Sequence, residues 1–248
     1  MKKIFTLIAV AAMAISAQAQ EQYKIAQDWV PTKSVQTVIA DATASTSVTY
    51  SDDPSWKASN PGAGGLASTK GFEYGVSGGQ NPKDGGYGDD GKSAGSGYSP
   101  AKNNLPNAGV YYIVKASTAG NFELAVKIGD GKPFFICDAA DGSALDKSAI
   151  KGVTENGDQT LDDDYKWSDS GEFFVTFSAE ANKSYYVFCT GSKLTFYGYT
   201  FTPGGSTGIN NVKAAASNNS VIYNIAGQKV ANGYKGLVIK DGKKMILK

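Results

Sequence analysis

The segment from Glu172 to Phe201, EFFVTFSAEANKSYYVFCTGSKLTFYGYTF, constrains this chain more than any other. Phe173, Val175 and Phe177 alternate with Phe174 and Thr176, the period of two that a pleated strand imposes. Ala181–Ser184 and Thr190–Lys193 supply two short turns flanked by β-branched or aromatic residues, so the segment predicts three strands. In the last of them the pleat puts Phe196 on one face and Tyr197, Tyr199 and Phe201 on the other. A strand apolar on both faces is either sandwiched between layers or presents rings to a ligand.

Composition narrows the chemistry. The 30 Gly, 14 Tyr and 11 Phe, with few helical patterns, favour β structure. The formal net charge is +1 and the isoelectric point about 7.6, so no overall field draws nucleic acid or anionic lipid. The chain contains no His, and every basic residue is Lys. Without His there is no Ser–His or Cys–His nucleophile pair and no imidazole metal site. Without Arg there is no bidentate clamp for phosphate or carboxylate.

Residues 1–20, MKKIFTLIAVAAMAISAQAQ, read as an export signal. Lys2 and Lys3 precede an apolar run from Ile4 to Ile15, and Ala17-Gln18-Ala19 is a small-residue cleavage site. The run is too short for a hydrocarbon core of about 30 Å, and no Cys follows it to carry a lipid. The expectation is an exported chain beginning near Gln20 or Glu21, with no membrane-spanning segment, either secreted, on the cell surface or in the periplasm.

Residues 21–203 read as one β domain. Val35–Ala40 and Ser47–Tyr50 suggest strands. Residues 60–108 are rich in Gly and turns, with Phe72–Val76 as their one strand; such an excursion is either a functional loop or disordered. It has no GxxxxGK[ST] pattern between strand and helix, which excludes a phosphate-binding loop. Asp84, Asp89 and Asp90 miss the EF-hand spacing and read as solvated turns. Gly109–Ala116 and Asn121–Ile128 predict strands, the second with Phe122, Leu124, Val126 and Ile128 on a buried face. Pro133 opens another strand, and a helical turn fits Ser143–Lys151. YYIVKASTAGNFELAVK and YYVFCTGSKLTFYGYT echo one another, as two hairpins in equivalent places of two facing sheets would. Residues 204–219 read as linker, and 220–248 as a small β-module closed by a hairpin at Asp241-Gly242.

The stretches GVYYIVKASTAGNFEL and NKSYYVFCTGSKLTFYGYTFTP resemble the jelly-roll β-sandwich domains of exported Bacteroidetes proteins, which often accompany glycan-degrading enzymes. The ending VIYNIAGQKV…GLVIKDGKKMILK is similar to the C-terminal sorting-type module of the same group, though without an aromatic at Val238. The resemblance implies an all-β chain, a jelly-roll β-sandwich followed by a small C-terminal β-module. It further implies a glycan or polysaccharide partner, delivery to the surface through an export machinery, and a structural Ca²⁺.

Sugar recognition needs apolar rings against C–H faces and polar groups for hydroxyls. The candidate rings are Trp56, Trp167, Tyr185, Tyr186, Tyr197 and Tyr199, with Tyr87 and Tyr98 in loops. The competing reading places them in the core, since a buried Tyr needs only one hydroxyl partner. Trp167, among Asp and Ser residues, has the strongest case for exposure. Asp162, Asp163 and Asp164 are the candidate Ca²⁺ ligands. Asp169 and Glu172 add to them for a catalytic reading on carboxylates alone. Cys137 and Cys189 end two hydrophobic strands, either as a disulfide permitted by export or as two small buried hydrophobes. The reading favoured is a non-catalytic carbohydrate-binding protein. A structural or adhesive surface protein stands second and a small glycan-active enzyme third.

Overall fold

The structure is a computed structural model that describes residues 20–27, 36–40, 43–53, 56–59, 65–204, 222–224, 229–230, 236–240 and 243–247. The segments read from sequence as an export signal and a linker lie outside the described residues, apart from Gln20 and Gly204. Contacts divide the chain into two compact units, Met1–Gly205 and Ser206–Lys248.

The first unit begins with β1 (Glu21–Lys24), β2 (Gln36–Ile39), β3 (Thr46–Tyr50) and β4 (Lys57–Ser59). A one-turn helix α1 (Leu66–Thr69) and β5 (Gly75–Ser77) follow. After the Gly-rich excursion come β6 (Tyr112–Ala116), β7 (Gly120–Ile128), β8 (Phe134–Asp138), β9 (Lys151–Thr154) and β10 (Gly157–Thr160). β11 (Gly171–Ala179), β12 (Ser184–Cys189) and β13 (Thr195–Pro203) complete it. The helical turn expected near Ser143–Lys151 is a 3₁₀ turn at Lys147–Ala149, capped by the Asp146 carboxylate.

Two antiparallel sheets form a β-sandwich. One has the order β10-β9-β11-β7-β13-β5-β4, with β1 also paired to β13; the other has the order β2-β3-β6-β12-β8. Phe122, Leu124, Val126, Phe173, Val175 and Phe177 of the larger sheet share one core with Tyr50, Tyr112, Val114, Ile136, Tyr185 and Val187 of the smaller.

The two echoing segments are not hairpins. β6 and β12 are neighbours in the five-stranded sheet, while β7 and β13 are neighbours in the other. Each turn therefore carries the chain from one sheet to its partner, and from β5 to β9 consecutive strands alternate between sheets. That alternation is what places the two Tyr-Tyr pairs side by side.

The face assignment in β13 also differs from simple alternation. A bulge between Phe196 and Gly198 shifts the register against β7. Phe196, Tyr199 and Phe201 all enter the central core, and Tyr197 alone points outward. Gly198 makes this possible with φ +131°, and a Cβ there would collide with the Tyr23 carbonyl oxygen.

Both sheets are apolar on their outer faces because other parts of the chain cover them. Ala67 of α1 and Phe72 pack on Ala125, Phe174 and Tyr197 outside the larger sheet. Tyr98 from the Gly-rich excursion packs with Phe135, Cys137 and Phe188 outside the smaller one. The excursion is held by internal bonds: the Asp84 carboxylate accepts from Ser96 N at 2.5 Å and from Asn104 Nδ2 at 2.8 Å.

The second unit is a sheet of β14 (Ile222–Asn224), β15 (Lys229–Val230), β16 (Gly236–Lys240) and β17 (Lys243–Leu247), in the order β15-β14-β16-β17. Lys240 pairs with Lys243 across Asp241-Gly242. Among the described residues, no helix is long and apolar enough to cross a membrane.

Candidate functional site

Five of the six candidate rings belong to the interior. Tyr185, Tyr197 and Tyr199 are no more than 2% exposed, Trp167 is 6% and Trp56 is 9%. Trp167 corrects the expectation of exposure. Its sequence neighbours are polar, but its neighbours in space are Phe134 and Phe173, with ring centroids at 5.9 and 5.6 Å. Trp56 donates its indole N–H to Ser51 O at 2.8 Å and packs on Tyr50 and Tyr112. Tyr199 donates to Thr46 Oγ1 and Tyr185 OH accepts from Glu180 N, so these polar tips are also used inside the protein. Tyr98 is likewise buried and donates to Gly142 O, while Tyr87 is half-buried and accepts from Gly109 N.

Tyr186 is different. It stands on the outer face of the five-stranded sheet, half-exposed, and stacks on Tyr111 with centroids 5.2 Å apart and planes 22° from parallel. Among the described residues neither phenol oxygen has a hydrogen-bond partner, and neither is sealed from solvent. Desolvation raises the Tyr186 hydroxyl above its ordinary pKa, and it does the same more strongly for Tyr111. Both stay protonated at neutral pH, each a donor and an acceptor.

Register extends this pair into a strip. Tyr186 lies opposite Ile113, Ile113 opposite Thr49, and Thr49 opposite Thr37. The Thr37 and Thr49 hydroxyls are 2.8 Å apart. The next row along the strands is Ile39, Ser47, Lys115 and Ser184. Ile113, Thr49, Ser47 and Ser184 are half-exposed, while Thr37, Ile39 and Lys115 are exposed. Tyr111 belongs to the covering cluster with Tyr98, Phe135 and Phe188, and Ile113 and Tyr186 pack against its margin while keeping part of their surface exposed. The strip offers one ring face, a second ring behind it, several hydroxyls and one ammonium.

Tyr111 was not among the candidate rings. β6 and β12 run antiparallel, and it is their register, with Tyr186 opposite Ile113, that brings Tyr111 diagonally against Tyr186.

The acidic run is a turn. Asp162 Oδ1 accepts from Asp164 N and Lys166 N, both at 2.8 Å. Asp163 is ion-paired with Lys147, and Asp164 with Lys166. The three carboxylates proposed for Ca²⁺ thus serve different partners, and among the described residues no cluster of three acidic, Cys or His side chains is placed around a metal.

Asp169 and Glu172 do meet, with Glu155, Asn156 and Lys127, in a pocket of ≈ 290 Å³. Asp169 Oδ2 accepts from Asn156 Nδ2 at 2.5 Å and Oδ1 from Ser170 N at 3.2 Å. The Glu172 oxygens accept from Ala67 N at 3.2 Å and Tyr197 OH at 3.3 Å. All four oxygens accept hydrogen bonds from neighbouring backbone and side-chain groups.

Cys137 and Cys189 are free thiols. Cys137 lies opposite Tyr186 and Cys189 opposite Phe134, three residues apart along adjacent strands. That offset is about 10 Å, beyond the reach of a disulfide. Three is also odd, so the thiols face opposite sides: Cys137 the outer cluster, Cys189 the central core.

Comparison with protein-family models and with curated proteins gives no match to this chain.

Proposed function

We propose that the chain is an exported, non-catalytic carbohydrate-binding protein whose glycan lies on the open strip of the five-stranded sheet. One observation carries the proposal. Tyr111 and Tyr186 form a stacked pair whose hydroxyls have no partner among the described residues, whereas the hydroxyls of core tyrosines such as Tyr98, Tyr185 and Tyr199 find protein partners. A sugar ring fits the exposed face of Tyr186, with Thr37, Thr49, Ser47 and Ser184 within the same strip for its hydroxyls. The likeness to exported jelly-roll modules agrees with this reading, and the C-terminal unit would serve as the address for the export machinery.

The structural or adhesive reading is favoured by a different observation, the burial of five candidate rings. A glycan array probed with the full chain, with and without Ca²⁺, separates the two. Binding to one polysaccharide class that is lost in Tyr186→Ala, with thermal melting unchanged, is the expected result. A blank array from the folded protein overturns the sugar reading and leaves the adhesive one.

A further inference from the structure

The open strip has a single charged side chain at its centre, and the chemistry of its ligand follows from that. Lys115 lies on β6 opposite Ser184 and Ser47, two residues from Ile113, the partner of Tyr186. Lys115 and Tyr186 are thus diagonal neighbours on one face, about 7–8 Å apart at the backbone. Lys115 is exposed, and among the described residues its ammonium has no ion-pair or hydrogen-bond partner. The contrast with nearby Lys183 is direct: Lys183 is held by Asp138 at 2.8 Å and Glu180 at 3.4 Å.

None of the described acids around the strip neutralises Lys115. Asp138 and Glu180 are taken by Lys183, and the Glu21 carboxylate accepts from Ser45 N and Thr46 Oγ1. Asp52 is close enough to Tyr111 and Tyr87 to raise both phenols, so it belongs to the opposite end of the strip. The face is therefore polarised, with an unpaired cation on one side of the ring pair and a carboxylate on the other.

We infer that the ligand is an anionic glycan containing hexuronic acid, with one sugar ring stacked on Tyr186 and its carboxylate against Lys115. The inference rests on the glycan-binding reading of the same strip. A ring and a point charge one diagonal apart match a pyranose that carries its carboxylate on the carbon outside the ring. The negative end at Asp52 gives such a chain one preferred direction, since a second uronate placed there would be repelled.

The test is titration calorimetry of the full chain against uronate polysaccharides (polygalacturonate, alginate and glucuronoxylan), each beside its carboxyl-reduced form. The expected result is binding to at least one acid polymer, about fivefold weaker for its reduced form, with the difference shrinking as salt rises. Lys115→Gln should bind both forms equally, and Tyr186→Ala should bind neither. Equal binding of acid and reduced polymers by the native chain overturns the inference while leaving Tyr186-dependent sugar binding intact. Retention of the acid preference in Lys115→Gln also overturns it. No binding to any acid or reduced polymer by folded protein overturns the inference, and the glycan array then decides the sugar reading.

Discussion

Cys137 and Cys189 stand on adjacent strands of one sheet yet face opposite sides of it. Burial pushes the Cys137 thiol up to about 12 and the Cys189 thiol higher still, so neither forms thiolate at physiological pH. The native protein should react with a thiol reagent only on the timescale of unfolding, and both thiols should appear at once in denaturant. Reducing agent should leave the melting temperature unchanged. A fast-reacting thiol in the native state would contradict this arrangement.

The bulge in β13 depends on one glycine. Gly198→Ala introduces a Cβ against the Tyr23 carbonyl at a φ that L side chains rarely adopt. The expected cost is about 3 kcal/mol, read from urea unfolding. An unchanged unfolding midpoint would show that the bulge tolerates a side chain.

Two aromatic truncations should behave in opposite ways. Trp167→Ala removes a buried indole from between Phe134 and Phe173 and should lower stability by about 3–5 kcal/mol. Tyr186→Ala removes a half-exposed ring and should act mainly on glycan binding. Parallel melting and binding measurements check the pair. Loss of binding at full stability in Trp167→Ala would return that residue to the ligand site.

Alkaline stability follows from the buried phenols. Tyr50 and Tyr112 are held well above the ordinary tyrosine value by loss of water around them. Because the folded values exceed the unfolded value near 10, their contribution is complete below about pH 10 and is lost as pH rises further. Tyrosinate absorbance should therefore rise together with unfolding in one cooperative step. Tyr112→Phe, which removes a hydroxyl lying 2.8 and 2.7 Å from the carbonyl oxygens of Val76 and Leu194, should cost about 1–3 kcal/mol at neutral pH and weaken the alkaline step. A gradual phenol titration with the fold intact would contradict the burial.

The fold class was legible because Phe122, Leu124, Val126 and Ile128 keep strict alternation and all four reach the core. The face of Tyr199 was not, since a bulge is a local exception that a period of two conceals. Trp167 misled for a related reason: burial is set by contacts such as Phe134, more than thirty positions earlier in the chain. Apolarity on both faces of a strand was visible in the letters. Which layer covers the second face depends on where residues 66–72 and 98–111 fold back, and no periodicity carries that information. Tyr186 could be named as a candidate, but that its hydroxyl has no partner among the described residues is visible only in the fold.

The alternation of strands between sheets has a consequence for how this unit comes to exist. Among β5 to β13 only β9 and β10 pair with the strand next in sequence, so nearly every ladder of this unit joins distant segments, a topology that folds slowly. β13, the last strand, sits between β7 on one side and β1 and β5 on the other, with Glu21 opposite Phe201. The larger sheet cannot close until residues near 200 are available. A chain emerging from the ribosome cannot complete this sheet until Phe201 reaches Glu21.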